Sequence, residues 1–184
     1  MSQPSAAYTS TAIALHWLIA LLIFLAFPVG LYMADLPASP GKYAIYGYHK
    51  WAGITVLALV LIRVVWRATH RPPELPASMG RFEQVLAKAG HHTLYLLMVL
   101  TPLSGWLFSS ARGHQTIWFG VLPLPDLVPK NDALGDILHE SHEVLAWLIV
   151  LIALGHAAVA LKHHFIEKDG VLARMLPWGG RGVK

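Results

Sequence analysis

Residues 139–164, HESHEVLAWLIVLIALGHAAVALKHH, form an apolar run that leaves the chain few choices. About 20 residues rising about 1.5 Å each span a hydrocarbon core of about 30 Å, so the run reads as a membrane-crossing helix. His142 and His156 stand fourteen residues apart in it. At about 100° per residue the second side chain returns to within about 40° of the first, about 21 Å further along the axis. One face therefore carries both, and His163 falls on the same stripe. Ala146, Ala153, Gly155, Ala157 and Ala160 keep much of this helix thin enough for a bulky group to approach. Two deep sites are expected, one near each membrane surface.

Three further apolar runs give spans at about 12–33, 45–66 and 90–110, with the last at 140–163. Across 184 residues the chain is 55% hydrophobic and 13% charged, a balance that one soluble domain of this size could hardly bury. The expected fold is all-α, a single integral membrane domain over 1–184 built as a four-helix bundle in a lipid bilayer. The first dozen residues lack the basic start of a cleavable signal and are expected to be retained. Pro37, Pro40 and Gly41 break the first connection, and Pro72-Pro73 follow the second span. Pro102 and Gly105 predict a kink or thin spot in the third. The segment RGHQTIWFGVLPLPDLVPKNDALGDIL is too apolar for a free linker, so it is placed on the membrane surface with Trp118 and Phe119 as interface anchors. The tail FIEKDGVLARMLPWGGRGVK reads as a short amphipathic segment with a flexible basic end.

Basic residues fix the orientation. The second connection holds Arg67, Arg71, Arg81 and Lys88, and the tail holds Lys162, Lys168, Arg174, Arg181 and Lys184. The opposite side holds only Lys42, Lys50, Arg112 and Lys130. Short cytoplasmic segments carry the excess of Lys and Arg, so both termini are predicted to be cytoplasmic. The formal charge of +4 lies between apolar runs and does not form a nucleic-acid patch.

There is no cysteine, which excludes disulfides, iron–sulfur clusters, thiolate haem ligation and covalent haem attachment through C-x-x-C-H. The eleven histidines are what remain. Depth sorts four of them into two pairs, His16 with His156 towards the cytoplasm and His49 with His142 towards the outside. Two neutral imidazoles on facing helices are what axial ligation of a b-type haem requires, so two haem b groups are expected in the bundle core. Any one of these histidines alone reads as a hydrogen-bonded polar residue. Four at matched depths are too costly in lipid to be incidental. A zinc or copper path would add carboxylate, cysteine or methionine ligands at depth, and the acids lie almost wholly in loops. Arg63 is deep enough either to snorkel to the interface or to meet a haem propionate. His91, His92 and His163 are placed at the interface, and His70, His114 and His164 are given no role beyond it.

The segments LHWLIALL, YGYHKWAG, GHHTLYLL, ARGHQTIWFG and SHEVLAWLIVLIALGHAAVALKHHFIEKDGVLARMLP resemble the bacterial cytochrome b561 family of four-helix, two-haem membrane proteins. The likeness covers nearly the whole chain, and its most specific part is the last, with the histidine spacing, the following His-His and the R-M-L-P in family order. It implies haem ligation by His16, His49, His142 and His156, an inner-membrane location, and quinone near His163. The subgroup it most resembles passes electrons from periplasmic superoxide to ubiquinone. For such a donor Arg112 is the expected cation, folded back over the outer haem, with Trp118 as a cover and Lys42 or Lys50 as lesser candidates. Lys130 is expected to be neutralised by Asp126 and Asp132. The alternative is a haem-bearing anchor or electron carrier for a periplasmic dehydrogenase or hydrogenase, which would offer the long loop as its docking surface.

Overall fold

The computed structural model describes residues 7–76 and 79–178. Four long helices alternate in direction: α1 (Ser10–Asp35), α2 (Pro40–Thr69), α3 (Arg81–Ala111) and α4 (Asp132–Lys162). All four are long and apolar enough to cross a membrane. Up-and-down order places the two ends of the described chain at one end of the bundle, called here the terminal end, and the 112–131 connection at the other, the loop end. Leu21, Leu25, Val65, Leu96 and Leu151 point outward and are each more than half exposed, a surface that lipid accepts and water does not.

Side-chain caps set where the helices begin. Thr9, Ser39 and Asn131 each accept a hydrogen bond from the backbone N–H three residues on, stabilising α1, α2 and α4 by about 1 kcal/mol each. Pro40 occupies the first position of α2, where its missing N–H costs nothing. Pro28 and Pro102 lie inside α1 and α3, which nevertheless run on through them. Each proline deprives the carbonyl four residues earlier of its helical partner.

Helix packing is uneven. α3 packs extensively on α4 and α1 on α2, α2 meets α3 less closely, and α1 barely touches α4. Ile19, Val56 and Val60 form one small core, against which Tyr95 and Met98 pack from α3. Leu97, Ile149 and Val150 form another between α3 and α4.

The helices extend beyond the apolar runs read from the sequence. α3 starts at Arg81 rather than near residue 90, and α4 at Asp132 rather than near 140. The added turns, RFEQVLAKA and DALGDILH, carry charge, and an apolar-run criterion registers only the part of a helix that sits in hydrocarbon. The loop correspondingly shrinks to 112–131. It holds a two-stranded antiparallel ribbon, β1 (Ile117–Trp118) with β2 (Leu122–Pro123), that the all-α expectation did not include. Phe119 and Gly120 turn it with φ of 52° and 71°, the left-handed pair that matches the twist of a tight hairpin. After α4 the chain forms a π-turn (His163–Glu167) and a short 3-10 turn (Ala173–Met175), corresponding to the expected amphipathic tail segment. The basic end after Trp178, with Arg181 and Lys184, lies outside the described residues, as do the first six.

Candidate functional site

The four deep histidines meet in two pairs. His49 of α2 faces His142 of α4 with ring centres 6.1 Å apart and planes crossed at 89°. His16 of α1 faces His156 of α4 at 6.3 Å and 74°. A metal–imidazole bond of about 2.0–2.1 Å, plus about 1.1 Å from nitrogen to ring centre, sets two axial rings about 6.2–6.4 Å apart. Both pairs therefore stand at the separation that one iron between them needs.

At the loop-end pair the neighbouring backbone fixes the tautomer. His49 Nδ1 lies 3.1 Å from the Ala26 carbonyl, and His142 Nδ1 lies 2.9 Å from that of Thr101. A carbonyl only accepts, so each Nδ1 carries the proton and each Nε2 keeps the lone pair a metal ligand requires. Ser104 Oγ stands 3.0 Å from His142 Nδ1 and donates its own hydrogen to Thr101 at 2.7 Å. A second regularity accompanies these bonds. Four residues after each accepting carbonyl comes a glycine, Gly30 or Gly105, directly against the imidazole. A Cβ at Gly30 would lie 3.2 Å from His49 Cε1, and one at Gly105 only 2.9 Å from His142 Cε1. An apolar cavity adjoins this pair, lined among others by Phe27, Gly53, Val56, Met98, Ala146 and Ile149. Spacing, tautomer and an apolar cradle all suit a b-type haem.

The terminal-end pair has a third imidazole beside it. His91 of α3 lies edge-on to His156 at 5.3 Å, a contact that its place in the sequence did not suggest. Because α3 starts at Arg81, His91 lies ten residues, about 15 Å, inside the helix. Arg63 donates from Nη1 to the Ala12 carbonyl at 2.8 Å and from Nε to Tyr95 Oη at 3.0 Å. Ala12 lies one turn from His16, so this guanidinium does more than snorkel. With Arg67, Arg71, His70, Tyr8 and Tyr95 it lines a basic crevice at the terminal end.

The charges of the loop end are not those the sequence led us to expect. Arg112 is tied to Asp136 at 2.5 Å and faces Asp132 at 3.7 Å, so it is compensated rather than free. Its side chain lies along Gly135 of α4, where a Cβ would be 2.9 Å from Nε, instead of folding over the imidazole pair. Asp132, expected to neutralise Lys130, is engaged by Arg112, and the methylenes of Lys130 lie near Gly113. Lys50, next in sequence to His49, points into the loop. Its Nζ donates to Ser109 Oγ at 3.1 Å and stands 3.4 Å from the carbonyls of His114 and Gln115. Trp118 donates to Thr55 Oγ1 at 3.2 Å, and Trp51 donates to the Ile117 carbonyl at 2.6 Å. The ribbon is thereby fastened over the Trp51–Thr55 turn of α2, with Trp118 turned inward and only Phe119 of the two expected anchors facing out.

His163 is not in headgroup contact either. It is 3% exposed, with Nδ1 at 2.6 Å from Asp169 Oδ2 and 2.5 Å from Glu167 Oε2.

A family model described as prokaryotic cytochrome b561 matches residues 7–178. Cytochrome b561 homolog 2 of Escherichia coli K12 is 37% identical over 170 residues, 92% of this chain and 90% of that protein. A probable superoxide oxidase, CybB, of Yersinia pestis is 30% identical over 92% of this chain and 96% of its own length. Cytochrome b561 homolog 1 of Escherichia coli K12 is 26% identical over the same share of this chain. A multi-pass membrane bundle with paired deep histidines, matched from end to end, leads to one assignment: the chain belongs to the prokaryotic cytochrome b561 family, whose members transfer electrons in membranes by means of b-type haem.

Proposed function

We propose that the protein is a superoxide:ubiquinone oxidoreductase of the bacterial inner membrane, holding two haem b groups with both termini in the cytoplasm. The observation that carries this reading is the presence of two imidazole pairs, each at the spacing of axial ligands, near opposite ends of one bundle. Support for the donor comes from the likeness to the probable superoxide oxidase of Yersinia pestis.

When bound, each haem supplies a one-electron carrier. His49 and His142 would hold the periplasmic one, His16 and His156 the cytoplasmic one, and Arg63 would meet a propionate at the terminal end. In the net reaction two superoxide anions each lose one electron, and one quinone takes both electrons with two protons. The chain must therefore attract a small anion at the loop end and serve a proton-consuming acceptor at the terminal end. Lys50, next in sequence to His49 with its ammonium held in the loop by Ser109, would be the attracting cation, and Trp118 would cover the periplasmic pair. Arg112, compensated by two aspartates, anchors the loop to α4.

Superoxide should reduce the haems of the purified protein without any partner. Attraction to Lys50 weakens as salt shortens the Debye length from about 10 Å at 0.1 M to about 3 Å at 1 M. Lys50→Gln is expected to preserve the haem spectra, lower the superoxide-driven reduction rate several-fold and flatten its salt dependence. A purified protein that superoxide leaves oxidised would sink the oxidase reading. It would favour the anchor or carrier reading, for which the exposed Phe119 and Val121 at the ribbon tip offer a surface to a periplasmic redox subunit.

His163 is the residue we assign to the quinone. The His163→Ala variant should keep both haems and their reduction from the loop end, yet reoxidise slowly with added ubiquinone. Reoxidation at the parent rate would remove His163 from the quinone site.

A further inference from the structure

Immediately after α4 the backbone departs from helical geometry in a way that serves one side chain. In a continued α-helix residue 169 would point about 240° around the axis from residue 163. Instead the helix widens into a π-turn, Lys168 takes a left-handed φ of 54° and Gly170 one of 75°. A left-handed backbone at a residue with a side chain is strained, and such strain persists where the surroundings over-determine it. Here the result is that Asp169 doubles back onto His163. Oδ2 of Asp169 meets Nδ1, while Oδ1 accepts the N–H of Val171 at 3.0 Å and so fixes the plane of the carboxylate. Glu167 approaches the same Nδ1 from the π-turn and is held in turn by Lys162 Nζ at 2.7 Å. From α3, Glu83 stands 3.8 Å from Lys162 and adds a third carboxylate at the edge of the cluster. From α1 comes no charge but a tether, Trp17 Nε1 donating to the Met175 carbonyl at 2.8 Å, which draws the tail under the His16 turn.

An imidazole Nδ1 carries one hydrogen, yet two carboxylate oxygens converge on it. With Nδ1 engaged in this way the ring is oriented and Nε2 is the nitrogen left to act. We propose that Asp169 is the positioning residue of the proton donor to quinone, His163, and that Glu167 supports the same ring in its doubly protonated form. This rests on the quinone role of His163 given above. In the step, the Nε2–H bond of that imidazolium breaks and a quinone O–H bond forms. The hydrogen on Nδ1 stays with the carboxylates, the ring ends neutral, and water returns a proton to Nε2. Glu167, 31% exposed where Asp169 is 10% exposed, is the more accessible of the two carboxylates. The electrons arrive by the electron transfer already assigned to the family.

The experiment uses the purified full-length holoprotein, chemically reduced, and follows haem reoxidation by a short-chain ubiquinone analogue across a range of pH. Asp169→Asn should retain haem content and reducibility while slowing reoxidation by about 10²-fold, the scale of a lost general acid. Glu167→Gln should match the parent in acid and fall behind it as the pH rises, because one of the two negative charges that support the doubly protonated ring is gone. If Asp169→Asn proves haem-deficient, the pH profile of Glu167→Gln decides alone, and a profile that superimposes on the parent overturns the inference. Parent-like rates in both variants, with His163→Ala slow, would overturn the role of the carboxylates and leave the quinone site standing. Parent-like reoxidation in His163→Ala would remove the quinone site itself.

Discussion

Replacing either His49 or His142 with alanine is expected to abolish one haem spectrum and leave the other, and replacing His16 or His156 the reverse. Each pair shares a depth and stands at the separation of two axial ligands, with ring centres at 6.1 and 6.3 Å. The two sites lie about 21 Å apart along α4, too far for one imidazole to substitute at the other. A pyridine haemochrome assay should therefore show haem content halved in all four variants. Reduced-minus-oxidised spectra should sort them into two classes, His49 with His142 and His16 with His156. Loss of the same spectral component in His16→Ala and His49→Ala would refute the pairing. The nearness of His91 to His156 adds a control: His91→Ala should retain both components, because its ring centre at 5.3 Å is too close for the two rings to stand on opposite sides of one iron.

The second large effect is expected at a residue without a side chain. At Gly105 an added methyl would stand 2.9 Å from His142 Cε1, a distance that real contacts do not show, so the ring or the helix must move. Overpacking of this kind costs about 1–3 kcal/mol. The displaced ring would also lose its hydrogen bond to Thr101, worth about 1 kcal/mol more. Gly105→Ala should thus weaken retention of the loop-end haem and shift its midpoint potential, since Nδ1 hydrogen bonding sets the basicity of the ligand. Gly30→Ala, at 3.2 Å from His49, should do the same more weakly, and Gly47→Ala, where a methyl meets nothing within 4 Å, should behave as the parent. Thermal haem release and redox titration of the three variants test the order. Equal behaviour at Gly105 and Gly47 would show that the close approach to His142 has no bearing on the haem.

The parts of this architecture that were legible in the sequence are those written in a strong period or a long run. Apolar runs gave the number of spans, and the interval between His142 and His156 placed two imidazoles on one stripe of one helix. What escaped depends on neighbours. Asp132 and Asp136 fall on one face only once α4 is known to begin at Asp132, and that alignment is what captures Arg112. The contact of His91 with His156 was hidden because the charged first turns of α3 read as connection. Gly105 stood out as a thin spot, but nothing local shows that Gly30 is pressed against a ring on another helix. The two carboxylates on His163 were invisible for a related reason, since a π-turn and a left-handed lysine bring them round against the helical period.

The unequal packing of the helices bears on how such a molecule is put together. α1 with α2, and α3 with α4, are each closely packed antiparallel neighbours, whereas α1 and α4 hardly meet. Yet each imidazole pair takes one ring from the first hairpin, His16 or His49, and one from the second, His156 or His142. On the proposed ligation neither hairpin alone owns a complete ligand set, so a half-made chain, with only its first two helices in the bilayer, would offer single imidazoles that bind haem weakly. Capture would become tight when the second hairpin arrives, and one bound group would then join α1 to α4, the two helices that side chains connect least. Without haem, α1 and α4 would be held together mainly through the helices between them.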